Sequence, residues 1–176
     1  ITINRQIKDI ENLVNEFSSF ARMPSPIFKK IEIDQVIKRA VDFYKMSSTN
    51  EIILDLSKKK KVINGDEEQL YRVFINLIKN SEDSILEKKE KNKLFKGKIN
   101  IEIDENIDYI SISLADNGIG IKDTSKIMTP YFTTKKSGTG LGLPIVSKII
   151  NEHKGELIIS NNNPGAKVLI SVPKIN

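Results

Sequence analysis

Hydrophobic residues near the N-terminus recur at alternating steps of four and three positions. The series consists of Ile3, Ile7, Ile10, Val14, Phe17 and Ala21, and is widened by Leu13 and Phe20. This spacing is the heptad pattern of a helix that packs lengthwise against other helices. The prolines at Pro24 and Pro26 end the pattern. About three heptads are too few for a stable isolated helix, so residues 1–22 either dock on the following domain or belong to a bundle completed elsewhere.

After a linker at 23–30, the hydrophobic pattern switches between strand and helix periods. Strands are predicted near residues 31–33, 52–56, 61–63, 99–104, 109–114, 156–159 and 167–172. One helix is expected to be N-capped by Asp34, a long one to run from Gly65-Asp66 to about Leu86, and a third from about Gly140 to Glu152. The faces predicted to be buried comprise Val36, Ile37, Ala40, Val41 and Tyr44, and then Leu70, Val73, Phe74, Leu77, Ile78, Ser81 and Ile85. Residues 31–176 therefore form one mixed α/β domain, with a long loop at about 122–139.

Composition limits the classes of function. The 176 residues are 39% hydrophobic, contain no cysteine and carry a net charge of +5, which suits one domain without disulfides or Cys-ligated metals. No apolar run reaches the roughly 20 residues of a membrane span, and a first residue other than Met leads us to expect a piece of a longer protein. The basic charge is concentrated in Lys58–Lys61 and Glu87–Lys98. Neither patch is interleaved with aromatics, so solvated loops are favoured over a nucleic-acid surface.

Three polar residues share one stripe of the long helix. Asn76, Asn80 and Asp83 stand at i, i+4 and i+7, at the edge of the apolar face. Asparagine is unfavourable inside helices, so two of them one turn apart indicate either a polar site or a plain solvent face.

Two glycine-rich segments follow the helix. Asp116-Asn117-Gly118-Ile119-Gly120 comes after a predicted strand, and its composition also fits an ordinary turn. Gly138-Thr139-Gly140-Leu141-Gly142-Leu143 precedes a helix and fits a phosphate-binding loop. It lacks the Gly-Lys-Ser/Thr of a Walker A loop and the later acidic residue of a Rossmann fingerprint.

Together and in this order, the three segments resemble the ATP-binding domain of sensor histidine kinases, in the GHKL ATPase superfamily. The resemblance implies an α+β two-layer sandwich, in which a mixed, mainly antiparallel sheet of about five strands packs on three helices, preceded by one coiled-coil-like helix. Residues 76–81 are similar to the N box. By that match Asn80 ligates the Mg²⁺ that bridges the ATP phosphates, while Asn76 and Asp83 line the nucleotide.

The remaining motifs of the family complete the implied site. Asp116, Gly118, Gly120 and Ile121 correspond to the G1 box, in which the carboxylate accepts a hydrogen bond from the adenine amino group. Residues 130–135 resemble the F box of a mobile ATP lid, in which Lys135 meets the phosphates and Tyr131 or Phe132 anchors the closed lid. Residues 138–143 match the G2 box, and the implied contacts come from Gly138, Thr139, Gly140, Leu141, Gly142 and Leu143. Met128-Thr129-Pro130 departs from the usual Phe-Glu-Pro.

The first N-box residue separates kinases from hydrolases in this superfamily. Hydrolytic members carry a glutamate that activates water, whereas Asn76 cannot act as a general base. The resemblance therefore implies ATP-dependent phosphorylation of a histidine. The single histidine, His153, follows the G2 box and is interpreted as a helix-end residue where a cation suits the helix C-terminus, so the phosphoacceptor is expected outside this chain. The alternatives are a GHKL-type ATPase, a catalytically silent nucleotide-binding module, or a structural adaptor.

Residues 14–24 resemble the end of the second dimerisation helix and the linker of sensor kinases of the nitrogen-regulation NtrY type. This implies a homodimer through the chain's own dimerisation domain, and a response-regulator receiver domain as partner. No nucleic acid and no membrane contact are expected for this piece. The resemblance also implies a cytoplasmic location, with a parent protein in the bacterial inner membrane.

Overall fold

The computed structural model describes residues 2–56, 59–124, 126–133, 135 and 138–175. Lys58, Thr134 and Ser137, as well as the side chains of Leu13 and Phe20, lie outside the described part. The elements in chain order are α1 (Thr2–Ala21), β1 (Lys29–Glu32), α2 (Ile33–Lys45), β2 (Glu51–Asp55), β3 (Val62–Gly65), α3 (Glu67–Lys91), β4 (Lys98–Glu105), β5 (Tyr109–Asp116), α4 (Gly142–Glu152), β6 (Glu156–Asn161) and β7 (Ala166–Pro173).

A five-stranded sheet forms one layer, in the order β2-β4-β5-β7-β6. β2 pairs in parallel with β4, and the other neighbours are antiparallel. The helices α2, α3 and α4 cover one face of this sheet. The predicted α+β sandwich with a mixed, mainly antiparallel sheet is thus confirmed, and β1 pairs with β3 in a separate two-stranded ribbon.

The core lies between the helices and the sheet, as the residue periods require. Alternate residues of the three central strands are buried, namely Ile99, Ile101 and Ile103, then Ile110, Ile112 and Leu114, then Val168, Ile170 and Val172. They pack against the predicted apolar faces of α2 and α3. Every residue of these faces is buried except Tyr44, which is half-buried. Burial of these large side chains is the main stabilising contribution to the domain.

Two predicted helix ends are wrong, and a third lies two residues from its expected position. Asp34 is not an N-cap, because α2 already begins at Ile33 and the Asp34 carboxylate accepts from Lys61 N at 3.0 Å, which joins α2 to the ribbon. α3 continues past Leu86 to Lys91, since lysine and glutamate are good helix formers. Part of the expected lysine-rich loop is therefore helical. α4 begins at Gly142, because Gly140 has a positive φ of 70° that no helix accommodates.

The apolar series of α1 stays at the surface. Ile3, Ile7, Ile10, Val14 and Phe17 are all exposed. The helix thus does not bury this series on the described part of the domain, which favours the alternative of a bundle completed elsewhere. Within the described residues no helix combines the length and apolar character that a membrane span requires.

Candidate functional site

Asp116 ends β5 and is a buried carboxylate with 6% of its surface exposed. Its Oδ1 accepts from Gly118 N at 2.8 Å and from Ala166 N at 3.4 Å, and its Oδ2 accepts from the Ser81 hydroxyl at 3.3 Å. Burial raises the pKa of Asp116 in spite of these donors. The residue is therefore a strong acceptor held in fixed orientation, at the place where the G1 box is predicted.

Glycine is required on both sides of this carboxylate. A Cβ at Gly118 would collide with Ser84 of α3, and the Ser84 hydroxyl accepts from Ile119 N at 3.1 Å. Gly165, in the turn between β6 and β7, has a φ of 94°, and a Cβ there would collide with the Asp116 carbonyl. Close packing around Asp116 thus involves α3, through Ser84 against Gly118, and the turn between β6 and β7, through Gly165.

Two hydrogen bonds hold the backbone at the end of the G1 segment. Gly120 has a φ of 74°, and the backbone of Ile121 is held by one side chain, Asn161 of β6. Asn161 Oδ1 accepts from Ile121 N at 2.7 Å, and Asn161 Nδ2 donates to Ile121 O at 2.9 Å. This pair fixes the point at which the lid begins.

The polar stripe of α3 meets the lid. The ammonium of Lys135 donates to Asn80 Oδ1 at 2.7 Å and to Asp83 Oδ2 at 2.8 Å. Asn76 lies one turn earlier, and its Nδ2 donates to Arg72 O of the same helix at 2.9 Å. The structure thus brings together three of the predicted residues, Lys135, Asn80 and Asp83, and places Asn76 beside them on the same stripe.

The glycine loop packs against both the lid and α3. Tyr131 N donates to Gly140 O at 3.1 Å, and a Cβ at Gly140 would collide with the backbone of Tyr131 and Phe132. A Cβ at Gly142 would lie 3.3 Å from Asn76 Oδ1. Two hydrogen bonds of 3.4 Å hold the rest of the loop, one from Leu141 N to Thr139 Oγ1 and one from Gly138 N to Lys135 O. Leu141 is fully buried, and Leu143 packs against the core.

By the family match, Tyr131 or Phe132 anchors the closed lid. Tyr131 is 54% exposed, and its ring lies 6.4 Å from the ring of Phe17 on α1, measured between centroids. Phe132 is half-buried. In this lid conformation Tyr131 therefore contacts the N-terminal helix.

His153 is buried and has partners on both ring nitrogens. Its Nε2 accepts from Asp66 N at 2.9 Å, and its Nδ1 lies 2.8 Å from Ile149 O. Nε2 therefore acts as an acceptor, and Nδ1 faces a carbonyl oxygen. His153 lies at the end of α4, as predicted, and its ring joins α4 to the start of α3.

Several residues around the site were missed from the sequence. They are Ser81, Ser84 and Lys88 on α3, and Asn161 and Gly165 at the turn between β6 and β7. The three α3 residues could have been predicted, because their helical spacing continues from the N box along one stripe of the helix. The other two lie at least 40 positions from the G1 segment in the chain, so no local pattern indicates them.

The donor set fits Mg²⁺ and an adenine nucleotide. One ammonium already bridges Asn80 Oδ1 and Asp83 Oδ2, so both oxygens reach a common cation, and oxygen ligands suit Mg²⁺. Asp116 supplies a buried acceptor for an exocyclic amine. A cavity of about 540 Å³ lies elsewhere, between the lid and α4, and its lining contains none of the predicted site residues.

Comparisons with known proteins identify the family of the chain. Residues 65–176 match the family model of histidine kinase-, DNA gyrase B-, and HSP90-like ATPases. A sensor histidine kinase NtrY-like protein of Rickettsia conorii is 36% identical over 170 residues, which are 95% of this chain and 27% of that protein. The nitrogen regulation protein NtrY of Azorhizobium caulinodans is 32% identical over 93% of this chain and 21% of its own length. The chain thus spans about a quarter of these relatives.

Solved structures give the same result for the fold. The catalytic domain of histidine kinase ThkA, in a nucleotide-free form, superposes with a TM-score of 0.73 at 25% identity, over 84% of this chain and 96% of that one. Full-length ShkA in complex with AMPPNP gives a TM-score of 0.78 at 20% identity over 99% of this chain and 38% of that one. The chain belongs to the family of histidine kinase-, DNA gyrase B-, and HSP90-like ATPases, and is an ATP-binding domain of the sensor histidine kinase kind.

Proposed function

We propose that this chain binds Mg·ATP and presents its γ-phosphoryl group to a histidine on a dimerisation bundle, for later relay to an aspartate of a response regulator. The observation that carries the proposal is the convergence of Lys135, Asn80 and Asp83 beside a glycine loop. The buried Asp116, at the end of β5, is joined to the same helix by Ser81. Asp116 suits the adenine end of ATP, and Lys135, Asn80 and Asp83 suit the phosphate end with its Mg²⁺.

The adenine end depends on Asp116. An ionised carboxylate only accepts hydrogen bonds, so it pairs with the exocyclic amine of adenine and not with the carbonyl oxygen that guanine carries there. The donors from Gly118 and Ser81 hold the carboxylate in one orientation. By the family match, Gly118, Gly120 and Ile121 lie beside the base.

The phosphate end depends on α3, the lid and the glycine loop. Asn80 supplies an oxygen for Mg²⁺, with Asp83 one turn further on. The bound metal neutralises charge on the phosphates during phosphoryl transfer. Gly142 and Leu143 open α4, where backbone N–H groups have no acceptor within the helix and favour a nearby anion. Lys135 and the loop from Gly138 to Leu143 close over the phosphates.

Asn76 favours transfer to a protein histidine over hydrolysis. An amide cannot take a proton from water, and its Nδ2 is already engaged with Arg72 O. A histidine nucleophile needs no such base, because its imidazole attacks directly. The domain then acts by positioning the phosphoryl group and by balancing its charge.

The expected partner is a dimerisation bundle in the same or the partner subunit of a homodimer. Support comes from the exposed heptad series of α1, which needs a neighbouring helix to cover it. The phosphoacceptor is not His153, because both of its ring nitrogens are engaged and it is 4% exposed. A response-regulator receiver domain, a cytoplasmic location and an inner-membrane parent complete the proposal.

The decisive experiment is phosphorylation in trans. The chain is mixed with [γ-³²P]ATP, Mg²⁺ and a separate dimerisation domain that carries the acceptor histidine, and acid-labile label is counted. We expect label on the added domain, and loss of both labelling and the Mg²⁺ dependence of ATP binding in Asn80→Ala. Asn151→Ala, an exposed asparagine of α4, is the matched control. Release of inorganic phosphate without protein label would make the chain an ATPase instead, and absence of ATP binding would refute both.

A further inference from the structure

Three residues on one stripe of α3 hold the segment that follows Asp116. Ser81, Ser84 and Lys88 stand at i, i+3 and i+7. Ser81 donates to Asp116, and Ser84 accepts from Ile119 N. Lys88 lies outside every motif of the family match and makes the most contacts of the three.

Lys88 binds two consecutive carbonyl groups of the G1 segment. Its ammonium donates to Asn117 O at 2.7 Å and to Gly118 O at 3.0 Å. The same nitrogen lies 4.5 Å from the centroid of the Phe95 ring, within the range of a cation–π contact. Charge-assisted bonds of this length are stronger than neutral ones, so Lys88 is the strongest link between α3 and this segment.

These bonds orient two peptide planes from both ends. Asn117 O and Gly118 N belong to one peptide unit, and while the oxygen accepts from Lys88, the N–H donates to Asp116 Oδ1 at 2.8 Å. In the next unit, Gly118 O accepts from Lys88 and Ile119 N donates to Ser84 at 3.1 Å. Because a peptide unit is rigid and planar, its carbonyl contact fixes the direction of its N–H.

We propose that Lys88 is a positioning residue for adenine recognition, which acts through the 117–118 peptide to hold the Asp116 carboxylate in its binding orientation. The inference rests on the proposed function, since it assumes that Asp116 receives adenine. Without the ammonium, the peptide can rotate and the N–H no longer restrains Asp116 Oδ1. The phosphate end, on Asn80 and Lys135, is unaffected.

The test compares ATP with inosine triphosphate, which lacks the exocyclic amine. Binding is measured by calorimetry for the wild-type chain, Lys88→Met, Lys88→Arg and Lys89→Met. Lys89 is the matched control, because it is the next residue on α3 and donates to Thr49 Oγ1 at 3.2 Å, away from the G1 segment. Lys88→Met should lose about tenfold in ATP affinity and much less for inosine triphosphate. Lys88→Arg should restore most of the preference, and Lys89→Met should match wild type.

Two failures are distinguishable. If the wild-type chain does not prefer ATP over inosine triphosphate, the adenine role of Asp116 is wrong and the proposed function is refuted at that point. If wild type discriminates and folded Lys88→Met discriminates equally well, the positioning role is overturned. Should Lys88→Met fail to fold, the amide NMR shifts and hydrogen exchange of Gly118 in Lys88→Gln decide, and unchanged values in that variant also overturn the inference.

Discussion

The ammonium of Lys135 on the lid lies 2.7 Å from Asn80 Oδ1 on α3, across 55 positions of sequence. It occupies the place beside the oxygen that the family match assigns to Mg²⁺. The same nitrogen is 2.8 Å from Asp83 Oδ2. In this lid conformation a side-chain cation is bound to the N box, and a metal ligated by Asn80 would have to displace it.

Replacing Lys135 with Met should therefore loosen the lid in the absence of nucleotide. The pair is partly exposed, so its removal should speed protease cleavage within residues 122–139 by only about threefold. ATP affinity should fall as well, because the variant has no cation to meet the phosphates. Lys126→Met is the control, as Lys126 pairs with Asp123 at 3.8 Å within the lid itself. Equal cleavage rates for the two variants would show that the contact does not restrain the lid.

Asp116→Asn should separate binding from stability. Burial raises the pKa of Asp116, so the folded chain binds more protons than the unfolded chain at mildly acidic pH. Stability from this group is full below the ordinary carboxyl pKa and is lost as the pH rises through the raised value. At pH 7 the asparagine variant should thus melt no lower than wild type without nucleotide, yet bind ATP far more weakly.

The measurements are thermal unfolding between pH 4 and 8 and calorimetry with an ATP analogue. Asp108→Asn, an exposed carboxylate of the hairpin between β4 and β5, is the control. Undiminished binding by the Asp116 variant would exclude adenine as its ligand. A steep drop in its melting temperature would show that the ionised carboxylate stabilises the fold.

Asp66 should show the opposite pH dependence. Burial acts to raise its pKa, but backbone donors from Ile27, Gln69 and Glu68 outweigh burial and hold the pKa below the ordinary value. Its contribution is therefore full above the ordinary carboxyl pKa and is lost as the pH falls through the lowered one. Asp66→Ala removes the N-cap of α3 and the 2.8 Å bond from Ile27 N of the linker.

The expected loss is about 0.5–2 kcal/mol at pH 7, and it should shrink in strong acid. Urea unfolding at several pH values measures it, with the exposed Asp55→Ala of β2 as the reference. A loss that stays constant down to pH 2 would mean that the carboxylate is not the source of the stabilisation.

His153→Ala should reduce stability without removing an acceptor of phosphate. The substitution leaves Asp66 N and Ile149 O without their buried partner, which costs roughly 1–3 kcal/mol. In the folded population, ATP binding and phosphorylation of an added dimerisation domain should persist. Acid-labile label on wild-type His153, located by mass spectrometry, would contradict the structural role.

Much of the fold could be predicted, because local periods determine it. The apolar faces of α2 and α3 and the alternation in β4, β5 and β7 follow directly from the hydrophobic pattern. The ends of the helices are harder to predict from the sequence. The charge of the lysine-rich segment after Leu86 favours a loop, whereas in the structure the ammonium of Lys88 donates to the carbonyls of Asn117 and Gly118 from within α3.

The sequence alone determined the family motifs and the candidate site residues, since these depend on residue type and local spacing: an asparagine stripe on a helix, a carboxylate before glycines, a glycine loop before a helix. Only the tertiary structure decided which distant groups meet. The contacts of Lys135 with Asn80, of Gly165 with Asp116 and of His153 with Asp66 join residues 49 to 87 positions apart. Such contacts are set by how the sheet and helices pack, and no local pattern of residues encodes them.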